Sequence, residues 1–327
     1  MQAIFQDRYG SSDVLELGDV AKPVPKDNEV LVRVHAAGLD PGVWHLMTGR
    51  PYFVRLGFGL RRPRTRVRGR DVAGRVEAVG GKVTRFRPGD EVFGVGEGSF
   101  ARYACAREDK LAPKPARLSF EQAATVPISA ITALQALRDK GKVRPGQRVL
   151  VIGAAGGVGS FAVQLAKAYG AEVTGVCSTT KVDLVRSLGA DHVVDYTRRD
   201  VTDGGRRHDL VIDTAGNRSL SHLRRTLTPT GTLVLVGGEG GGRLFGRFDR
   251  LLRAVLLSPF LRQRLCVLVS IERRKDLESL RELIEAGTLT PVVDRTYPLG
   301  EVPEAIRYLE AGHARGKVAI TVPDATG

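Results

Sequence analysis

A glycine-rich turn at residues 153–159 is the sequence feature that most constrains the fold of the surrounding chain. The apolar stretch 148–152 precedes it, and a helical pattern over 158–169, closed by Gly170, follows it. At such a strand-to-helix turn, missing side chains let an anionic group approach the backbone, and the helix N-terminus supplies free N–H groups. A merely flexible turn is the alternative, but its position favours a dinucleotide pyrophosphate site. The predicted contacts are Ala155, Gly156, Gly157, Val158 and Gly159.

The same alternation of strand and helix continues along the chain. A helix over 181–188 separates the first two of four apolar stretches, which are predicted strands at 172–177, 192–195, 210–213 and 233–236. Repeated βα units with nearly continuous apolar strands predict a parallel, doubly wound sheet. We expect this domain to span 119–288, because Ser119 and Gln122 form a capping-box pattern at its start.

Residues 1–118 have a different character. Short strands predicted at 30–35, 72–80 and 91–95 are separated by Gly/Pro turns, which is typical of a β-rich, barrel-like domain. A tail over 289–327 ends in a helical pattern through Ile306 and a strand at 318–320. The predicted fold class is α/β, with a β-rich domain beside a doubly wound parallel sheet.

The end of the second predicted strand indicates which dinucleotide is bound. A NAD site usually has Asp or Glu there, about 20 residues after the glycine turn, to bind the ribose hydroxyls. Residues 177–181 read Cys-Ser-Thr-Thr-Lys and contain no carboxylate. Hydroxyl and ammonium groups can bind a 2′-phosphate, so the sequence favours NADPH. The alternative is that Lys181 only begins a solvated helix face.

The composition and the N-terminal residues indicate the cellular location and the kind of partner. Three separated cysteines have no metal or disulfide spacing, residues 1–8 resemble no secretory signal, and no apolar run could span a bilayer. We therefore expect a cytoplasmic protein. The 50 basic residues against 36 acidic ones give a formal charge of +14, which favours anionic partners. Nucleic acid is not expected, because no reader motif accompanies the charge.

The glycine turn and four further segments together resemble the quinone oxidoreductases of the medium-chain dehydrogenase/reductase superfamily. Those segments are 125–133, 188–196, 297–299 and 313–318. The resemblance implies a GroES-like domain, a Rossmann domain and a tail that returns to the first domain. It also implies a homodimer, 2′-phosphate contacts at Ser178, Lys181 and Tyr196, and Gly237 on the nicotinamide side.

The sequence departs from the zinc-dependent members of that superfamily. Those enzymes place a cysteine early in the β domain and a histidine in a Gly-His-Glu motif. The corresponding stretches here are 38–40, Gly-Leu-Asp, and 69–71, Gly-Arg-Asp. Arg70 stays protonated and cannot ligate zinc, and the four-cysteine lobe is missing. We expect no metal site.

Without a Lewis acid, a conjugated quinone or enone is the easiest hydride acceptor, because its charge spreads over the conjugated oxygen. Candidate catalytic residues are Asp40, His45 and Tyr52. Relatives commonly have Asn where Asp40 stands, and an ionised Asp would repel an enolate. Asp40 must therefore be protonated, turned away or differently employed. His45 is either a proton donor or a packing residue.

Two basic stretches suggest rival functions. Residues 61–68 contain five arginines. This stretch is either a solvated loop or a contact for an acidic substrate or RNA. In 243–264, arginines at helical spacing (Arg243, Arg247, Arg250 and Arg253) predict a basic face opposite an apolar one. That helix could cover the substrate, form a subunit interface or lie on an anionic membrane. The alternatives are a redox enzyme for lipophilic substrates at membranes and a non-enzymatic NADPH-sensing or RNA-binding protein.

Overall fold

The computed structural model describes residues 1–203, 205–236 and 248–323. Its strands are Gln2–Phe5 (β1), Glu16–Asp19 (β2), Glu29–Leu39 (β3), Asp71–Val79 (β4), Glu91–Val95 (β5), Tyr103–Arg107 (β6), Leu111–Pro113 (β7), Arg148–Ile152 (β8), Glu172–Cys177 (β9), His192–Asp195 (β10), His208–Asp213 (β11), Leu227–Leu235 (β12), Arg264–Val267 (β13), Val293–Pro298 (β14) and Lys317–Thr321 (β15). Its α-helices are Pro41–Thr48 (α1), Val54–Phe58 (α2), Phe120–Ala124 (α3), Pro127–Gln135 (α4), Gly157–Ala168 (α5), Val182–Ser187 (α6), Leu220–Arg225 (α7), Phe248–Leu257 (α8), Arg274–Glu285 (α9) and Val302–Glu310 (α10).

The chain forms two compact units. The first comprises Met1–Ile131, Glu272–Gly287 and Pro291–Gly327, and the second comprises Thr132–Ile271 and Thr288–Thr290. These bounds differ from the predicted domains, which assigned all of 119–288 to the dinucleotide-binding part. Two helices account for the difference. Helix α3 packs on β3 and β4, and α9 packs on β7, so both lie in the first unit.

The second unit is built on a six-stranded parallel sheet in the order β10-β9-β8-β11-β12-β13. Strand β8 is paired on both sides, and its residues 149–152 are buried, as expected for a strand covered on both faces. The strand order reverses between β8 and β11, and ligands of open α/β sheets bind outside the carboxyl ends of the strands at such a point. The doubly wound parallel sheet predicted from the sequence is confirmed.

The first unit contains a seven-stranded sheet in which β3 is the longest strand. β3 pairs antiparallel with β4, with β6 and with β15 from the tail, while β14 extends the sheet parallel to β15. Buried side chains from these strands and from α10 form one apolar core. The tail 291–327 therefore contributes strands to the sheet that holds the candidate catalytic segment.

Helix α1 interrupts the β-rich part directly after β3. Its signals are local: Asp40 is its N-cap, Pro41 occupies its first turn, and Gly49 ends it with φ +60°. Proline is favoured there because the first-turn N–H has no partner inside the helix. The strand-and-turn pattern of residues 1–118 did not predict this helix, although it carries Asp40 and His45.

None of the helices within residues 1–203, 205–236 and 248–323 has the length and apolarity to cross a bilayer.

Candidate functional site

The glycine turn joins β8 to α5 in the second unit. Gly153 has φ +80°, which favours glycine, and Gly156 is the N-cap of α5 in an extended conformation. A Cβ on Gly159 would lie only 2.0 Å from the carbonyl oxygen of Gly153. The helix therefore begins in direct contact with the strand end. This leaves the N–H groups of its first turn at the strand-order reversal, where a pyrophosphate can be bound.

Ser178, Lys181 and Tyr196 lie together at the carboxyl ends of β9 and β10. Ser178 directly follows β9, and its carbonyl accepts from the backbone N–H of Lys181 at 3.0 Å. Tyr196 directly follows β10, and its N–H donates to the carbonyl of Cys177 at 3.0 Å. The Tyr196 side chain is exposed. Gly237, predicted on the nicotinamide side, lies outside the described residues.

A carboxylate that the sequence reading missed lies beside this group. Asp195 ends β10 opposite Cys177 of β9. Its Oδ2 accepts from the hydroxyl of Thr179 at 2.6 Å, and its Oδ1 accepts from the backbone N–H of Thr197 at 3.0 Å. The hydrogen bond from Thr179 contributes most to a lowered pKa of Asp195. This carboxylate is thus ionised at neutral pH, but neighbouring donors already occupy both oxygens.

Arg218 is a further cation near the same strand ends. It follows β11, and its guanidinium carbon is 5.9 Å from the centroid of the Tyr196 ring. Sequence spacing could not reveal it, because Arg218 lies 22 positions beyond Tyr196 and only the parallel sheet brings β10 and β11 to one edge. Lys181 and Arg218 together place two cations at this edge.

In the first unit, Asp40 caps helix α1. Its Oδ1 accepts from the backbone N–H of Gly42 at 2.7 Å, while its buried Oδ2 has no hydrogen-bond partner among the described residues. Sequence reasoning left Asp40 protonated, turned away or differently employed. The capping bond gives it a structural role that an Asn at this position would also perform.

Asp40 belongs to a buried group of charged side chains. The Oδ1 of Asp71 accepts from the N–H of Ile128 at 3.0 Å, and its Oδ2 is 3.7 Å from Nζ of the buried Lys317. Burial raises the pKa of Asp71 to about 7; Lys317 opposes the rise and the charge of Asp40 adds to it. The first unit thus holds a carboxyl group whose proton is exchanged near neutral pH.

This group predicts a pH-dependent stability. Folded Asp71 keeps its proton up to a pH of about 7, whereas the unfolded chain releases it near pH 4. Folding therefore binds a proton between these values, and the free energy of unfolding falls as the pH rises from about 4 to about 7. Asp40→Asn removes the neighbouring charge and should reduce that fall.

Urea unfolding of the wild type and of Asp40→Asn at pH 5 and pH 8 checks this expectation. We expect Asp40→Asn to be more stable relative to the wild type at pH 8 than at pH 5. The Asn side chain keeps the cap, so helix α1 is not disturbed. A difference in unfolding free energy that is the same at both pH values would rule out the coupling of Asp40 to Asp71.

His45 and Tyr52 complete the predicted catalytic set. His45 Nδ1 lies 2.8 Å from the carbonyl oxygen of Arg50, which can only accept, so the hydrogen is on Nδ1 and Nε2 remains for other contacts. Tyr52 is exposed, with the Arg55 guanidinium 4.6 Å from its ring centroid. Trp44, next to His45, is partly buried and packs against the apolar core of the first unit. All three candidates lie between β3 and α2.

The side chains around Arg70, in the stretch 69–71 where zinc-dependent relatives have a ligand, do not fit a zinc ion. Arg70 donates to Glu272 at 2.9 Å, and Lys110 approaches the same carboxylate at 3.6 Å. Within residues 1–203, 205–236 and 248–323, no three His, Cys, Asp or Glu side chains group closely enough to hold a metal. A guanidinium and an ammonium both approach the Glu272 carboxylate, so the side chains around Arg70 do not form a set of zinc ligands.

Comparisons with known proteins agree with this architecture. Residues 26–116 match the alcohol dehydrogenase GroES-like domain, and residues 188–320 match the zinc-binding dehydrogenase family. The mouse mitochondrial NAD(P)H oxidoreductase RTN4IP1 is 32% identical, over 98% of this chain and 89% of its own length. Tomato 2-methylene-furan-3-one reductase is 35% identical, over 98% and 79%. Escherichia coli quinone oxidoreductase in complex with NADPH superimposes with a TM-score of 0.83 at 26% identity, over 98% and 100%.

These comparisons define an NAD(P)H oxidoreductase with a GroES-like and a Rossmann-like domain. The chain belongs to the quinone oxidoreductase family of the medium-chain dehydrogenase/reductase superfamily. The resemblance inferred from the sequence is therefore confirmed, and the enzymatic interpretation is favoured over a non-enzymatic NADPH-sensing or RNA-binding protein.

Proposed function

We propose that this enzyme uses NADPH, without zinc, to transfer hydride to a conjugated carbonyl such as a quinone or an enone. The observation that carries the proposal is the glycine turn at the strand-order reversal, with Ser178, Lys181 and Tyr196 at the adjoining strand ends. The relatives are consistent with it, since one is named as a furanone reductase and another is a quinone oxidoreductase in complex with NADPH.

The proposed cofactor contacts follow the charges of the second unit. The first turn of α5, with Ala155 and residues 156–159, would bind the pyrophosphate, and Gly237 is proposed for the nicotinamide side. Lys181, with Ser178 and Tyr196, would bind the 2′-phosphate. Asp195 does not argue against NADPH, because hydrogen-bond donors surround its carboxylate. Bound NADPH supplies the hydride.

The proposed acceptor follows from the donors available in the first unit. Arg70 and Glu272 replace a zinc-ligand arrangement, so a substrate oxygen must be stabilised by hydrogen bonds instead of a Lewis acid. A conjugated acceptor needs less stabilisation of its oxygen, because the negative charge that develops on hydride addition is delocalised. Tyr52 and His45 are the proposed hydrogen-bond and proton donors. Asp40 is proposed to position them as the cap of α1.

Lys181→Ala should reduce the affinity for NADPH by about 10- to 100-fold, because a charge-assisted contact to the 2′-phosphate is lost. The affinity for NADH, which has no 2′-phosphate, should change less than about twofold. Fluorescence titration of both cofactors measures this, with the exposed Lys140→Ala as the control. An equal loss for the two cofactors would place Lys181 away from the 2′-phosphate.

His45→Ala should lower turnover on quinones by about 100-fold, the usual contribution of a positioned proton donor. The dissociation constant for NADPH should stay the same, since His45 lies in the other unit. Steady-state kinetics and a NADPH titration on one preparation separate the two effects. His313→Ala, an exposed histidine of the first unit, is the control. Unchanged turnover would leave His45 with a packing role.

The reaction class is tested by NADPH oxidation in the presence of quinones, enones and saturated aldehydes. We expect turnover with the first two classes and little with the third, because only conjugation compensates for a missing Lewis acid. Turnover with saturated aldehydes or alcohols alone would contradict the proposal.

An alternative is a reductase of a lipophilic carbonyl or alcohol that acts at membranes through 243–264. Residues 243–247 lie outside the described part, so Arg243 and Arg247 are not placed. The described part of the segment, helix α8, differs from the predicted arrangement. Arg250 is buried in an ion pair with Asp213, while Leu252 and Val255 are exposed. The predicted division into a basic and an apolar face is therefore wrong for Arg250. A peripheral membrane contact of α8 remains a proposal.

Two further expectations stand as proposals. The enzyme is proposed to be a homodimer, as the family resemblance implies, and to work in the cytoplasm with a small-molecule acceptor and no nucleic acid. Sedimentation velocity tests the first.

A further inference from the structure

Residues 53–64, here called the apolar-basic surface, carry bulky apolar side chains that face solvent. Leu56 is 71% and Leu60 is 67% exposed, and Phe53 and Phe58 are exposed as well. Single exposed apolar residues are ordinary, but a contiguous group of this size marks an interaction site. Neither the glycine turn nor the proposed chemistry accounts for this group.

The apolar-basic surface is held in place by the rest of the first unit. The hydroxyl of Tyr9 donates to the carbonyl of Gly59 at 2.6 Å, and the N–H of Arg64 donates to the carbonyl of Phe58 at 2.9 Å. The Nε of Arg55 donates to the carbonyl of Gly49 at 3.0 Å, and its guanidinium lies 4.5 Å from the Tyr9 ring centroid. These bonds fix the backbone, so the apolar side chains are presented outwards by a defined conformation.

The charged side chains of the stretch that contains this surface have one sign. Between Pro41 and Arg70 the chain has eight arginines and no Asp or Glu. Some of these arginines are already engaged, since Arg66 pairs with Asp7 at 2.9 Å, Arg70 pairs with Glu272 and Arg68 is buried. The other exposed arginines, close to Leu60 in sequence, are Arg61, Arg62 and Arg64; Arg64 donates to the carbonyl of Gly57 at 3.3 Å, which does not neutralise its charge. Within the basic run at 61–68, Arg66 and Arg68 are thus engaged in contacts within the protein, while the exposed arginines at 61, 62 and 64 carry positive charge next to the apolar side chains.

We propose that the apolar-basic surface docks onto an anionic lipid surface, with Leu56 and Leu60 entering the boundary between head groups and acyl chains. Adjacent cations and inserted apolar side chains are the combination by which interfacial segments bind membranes. A symmetric contact with a second copy would place arginine-rich edges against each other, which is unfavourable. Phe53 and Phe58 do offer rings, but the most exposed side chains of the surface are the aliphatic Leu56 and Leu60, which suit acyl chains better than nucleic-acid bases.

Helix α8 provides a useful comparison. Its exposed residues Leu252, Val255 and Leu256 are also apolar, but between residues 248 and 257 the exposed charges are one arginine, Arg253, and one carboxylate, Asp249. The apolar-basic surface has three exposed arginines, and the chain from Pro41 to Arg70 contains no Asp or Glu. Charge complementarity therefore favours residues 53–64 over α8 as the lipid contact.

The test is co-sedimentation of the full chain with phosphatidylcholine vesicles that contain or lack phosphatidylglycerol. We expect binding to the anionic vesicles only, weakened by salt. The double variant Leu56→Ser with Leu60→Ser should bind at least about tenfold more weakly. Arg61→Glu with Arg62→Glu should bind about 100-fold more weakly. Binding needs no acceptor, so its outcome is independent of the proposed reaction.

Matched controls separate the surface from general effects. Val24→Ser removes an 84% exposed apolar side chain elsewhere in the first unit. Arg85→Glu with Arg144→Glu changes the net charge as much as the arginine variant does. Both controls should bind within about twofold of the wild type, and all variants should reduce a soluble quinone at the wild-type rate.

Three results would overturn the proposal. The first is wild-type protein that does not co-sediment with anionic vesicles. The second is binding that Leu252→Ser with Leu256→Ser abolishes while Leu56→Ser with Leu60→Ser retains it. The third is a change in sedimentation coefficient in the Leu56/Leu60 variant without lipid, which would identify the surface as a contact between copies of the chain.

Discussion

Gly159→Ala is expected to lower the free energy of unfolding by about 3 kcal/mol and the affinity for NADPH by more than about tenfold. The new Cβ would lie 2.0 Å from the carbonyl oxygen and 2.8 Å from the carbonyl carbon of Gly153. Both are backbone atoms at the end of β8, so no side-chain rotation relieves the clash. Helix α5 must move away from the strand, and its first-turn N–H groups move with it.

Urea unfolding and a NADPH titration measure the two effects of Gly159→Ala. Gly81→Ala is the control, because a Cβ there meets no atom within 4 Å and its backbone does not adopt a positive φ. Gly156→Ala adds a finer test: its Cβ would lie 3.3 Å from the Gly153 oxygen, a tight contact but no severe clash, so the loss of stability should be smaller than in Gly159→Ala. If Gly159→Ala proved as stable as Gly81→Ala, the close contact of helix and strand would be refuted.

Arg250→Met is expected to lower the free energy of unfolding by about 3–5 kcal/mol, because it leaves the charge of Asp213 buried without its partner. Both side chains are buried, and Asp213 ends β11 directly beside Ile152, the last residue of β8. The Oδ1 of Asp213 also accepts from the N–H of Gly216 at 3.1 Å. Losing the ion pair therefore disturbs the strand end next to the glycine turn.

Thermal and urea unfolding of two matched variants test whether the ion pair between Arg250 and Asp213 stabilises the protein. Arg253→Met, on the exposed side of the same helix, should cost less than about 0.5 kcal/mol. The double variant Arg250→Met with Asp213→Asn should recover much of the loss, since it removes both charges. Equal small losses in Arg250→Met and Arg253→Met would show that the pair adds nothing to stability.

The second unit was predictable from sequence because its information is local. Parallel strands that are covered on both faces read as short apolar runs, and glycines mark where strands and helices meet. The strand predicted at 172–177 has those bounds in the structure, and so does the one at 192–195. Local information also sufficed in the first unit, where the capping box predicted at Ser119 is present with both of its hydrogen bonds.

What the sequence did not reveal depends on contacts between distant positions. Asp195 approaches Thr179 only because β10 pairs with β9, and Arg250 reaches Asp213 across 37 positions. The bounds of the second unit differ from the predicted domain for the same reason. Helix α9 has an ordinary amphipathic pattern, and only its packing against β7 assigns it to the first unit.

The candidate catalytic segment was located by resemblance, and its chemistry was refined by geometry. The sequence alone could not distinguish the possible states of Asp40, whereas its bond to Gly42 identifies a helix cap. The proximity of its charge to Asp71 is equally invisible in sequence, because it depends on the antiparallel pairing of β3 with β4, which places Gly38 opposite Asp71.

The central claim is a zinc-independent reductase that prefers NADPH. The most direct test measures kcat/KM for NADPH and for NADH with a benzoquinone acceptor, on enzyme dialysed against a strong chelator. We expect full turnover after dialysis and a preference for NADPH of at least about tenfold, the contribution of one charge-assisted phosphate contact. Turnover that disappears with the chelator and returns with added zinc, or that is higher with NADH, would contradict the account.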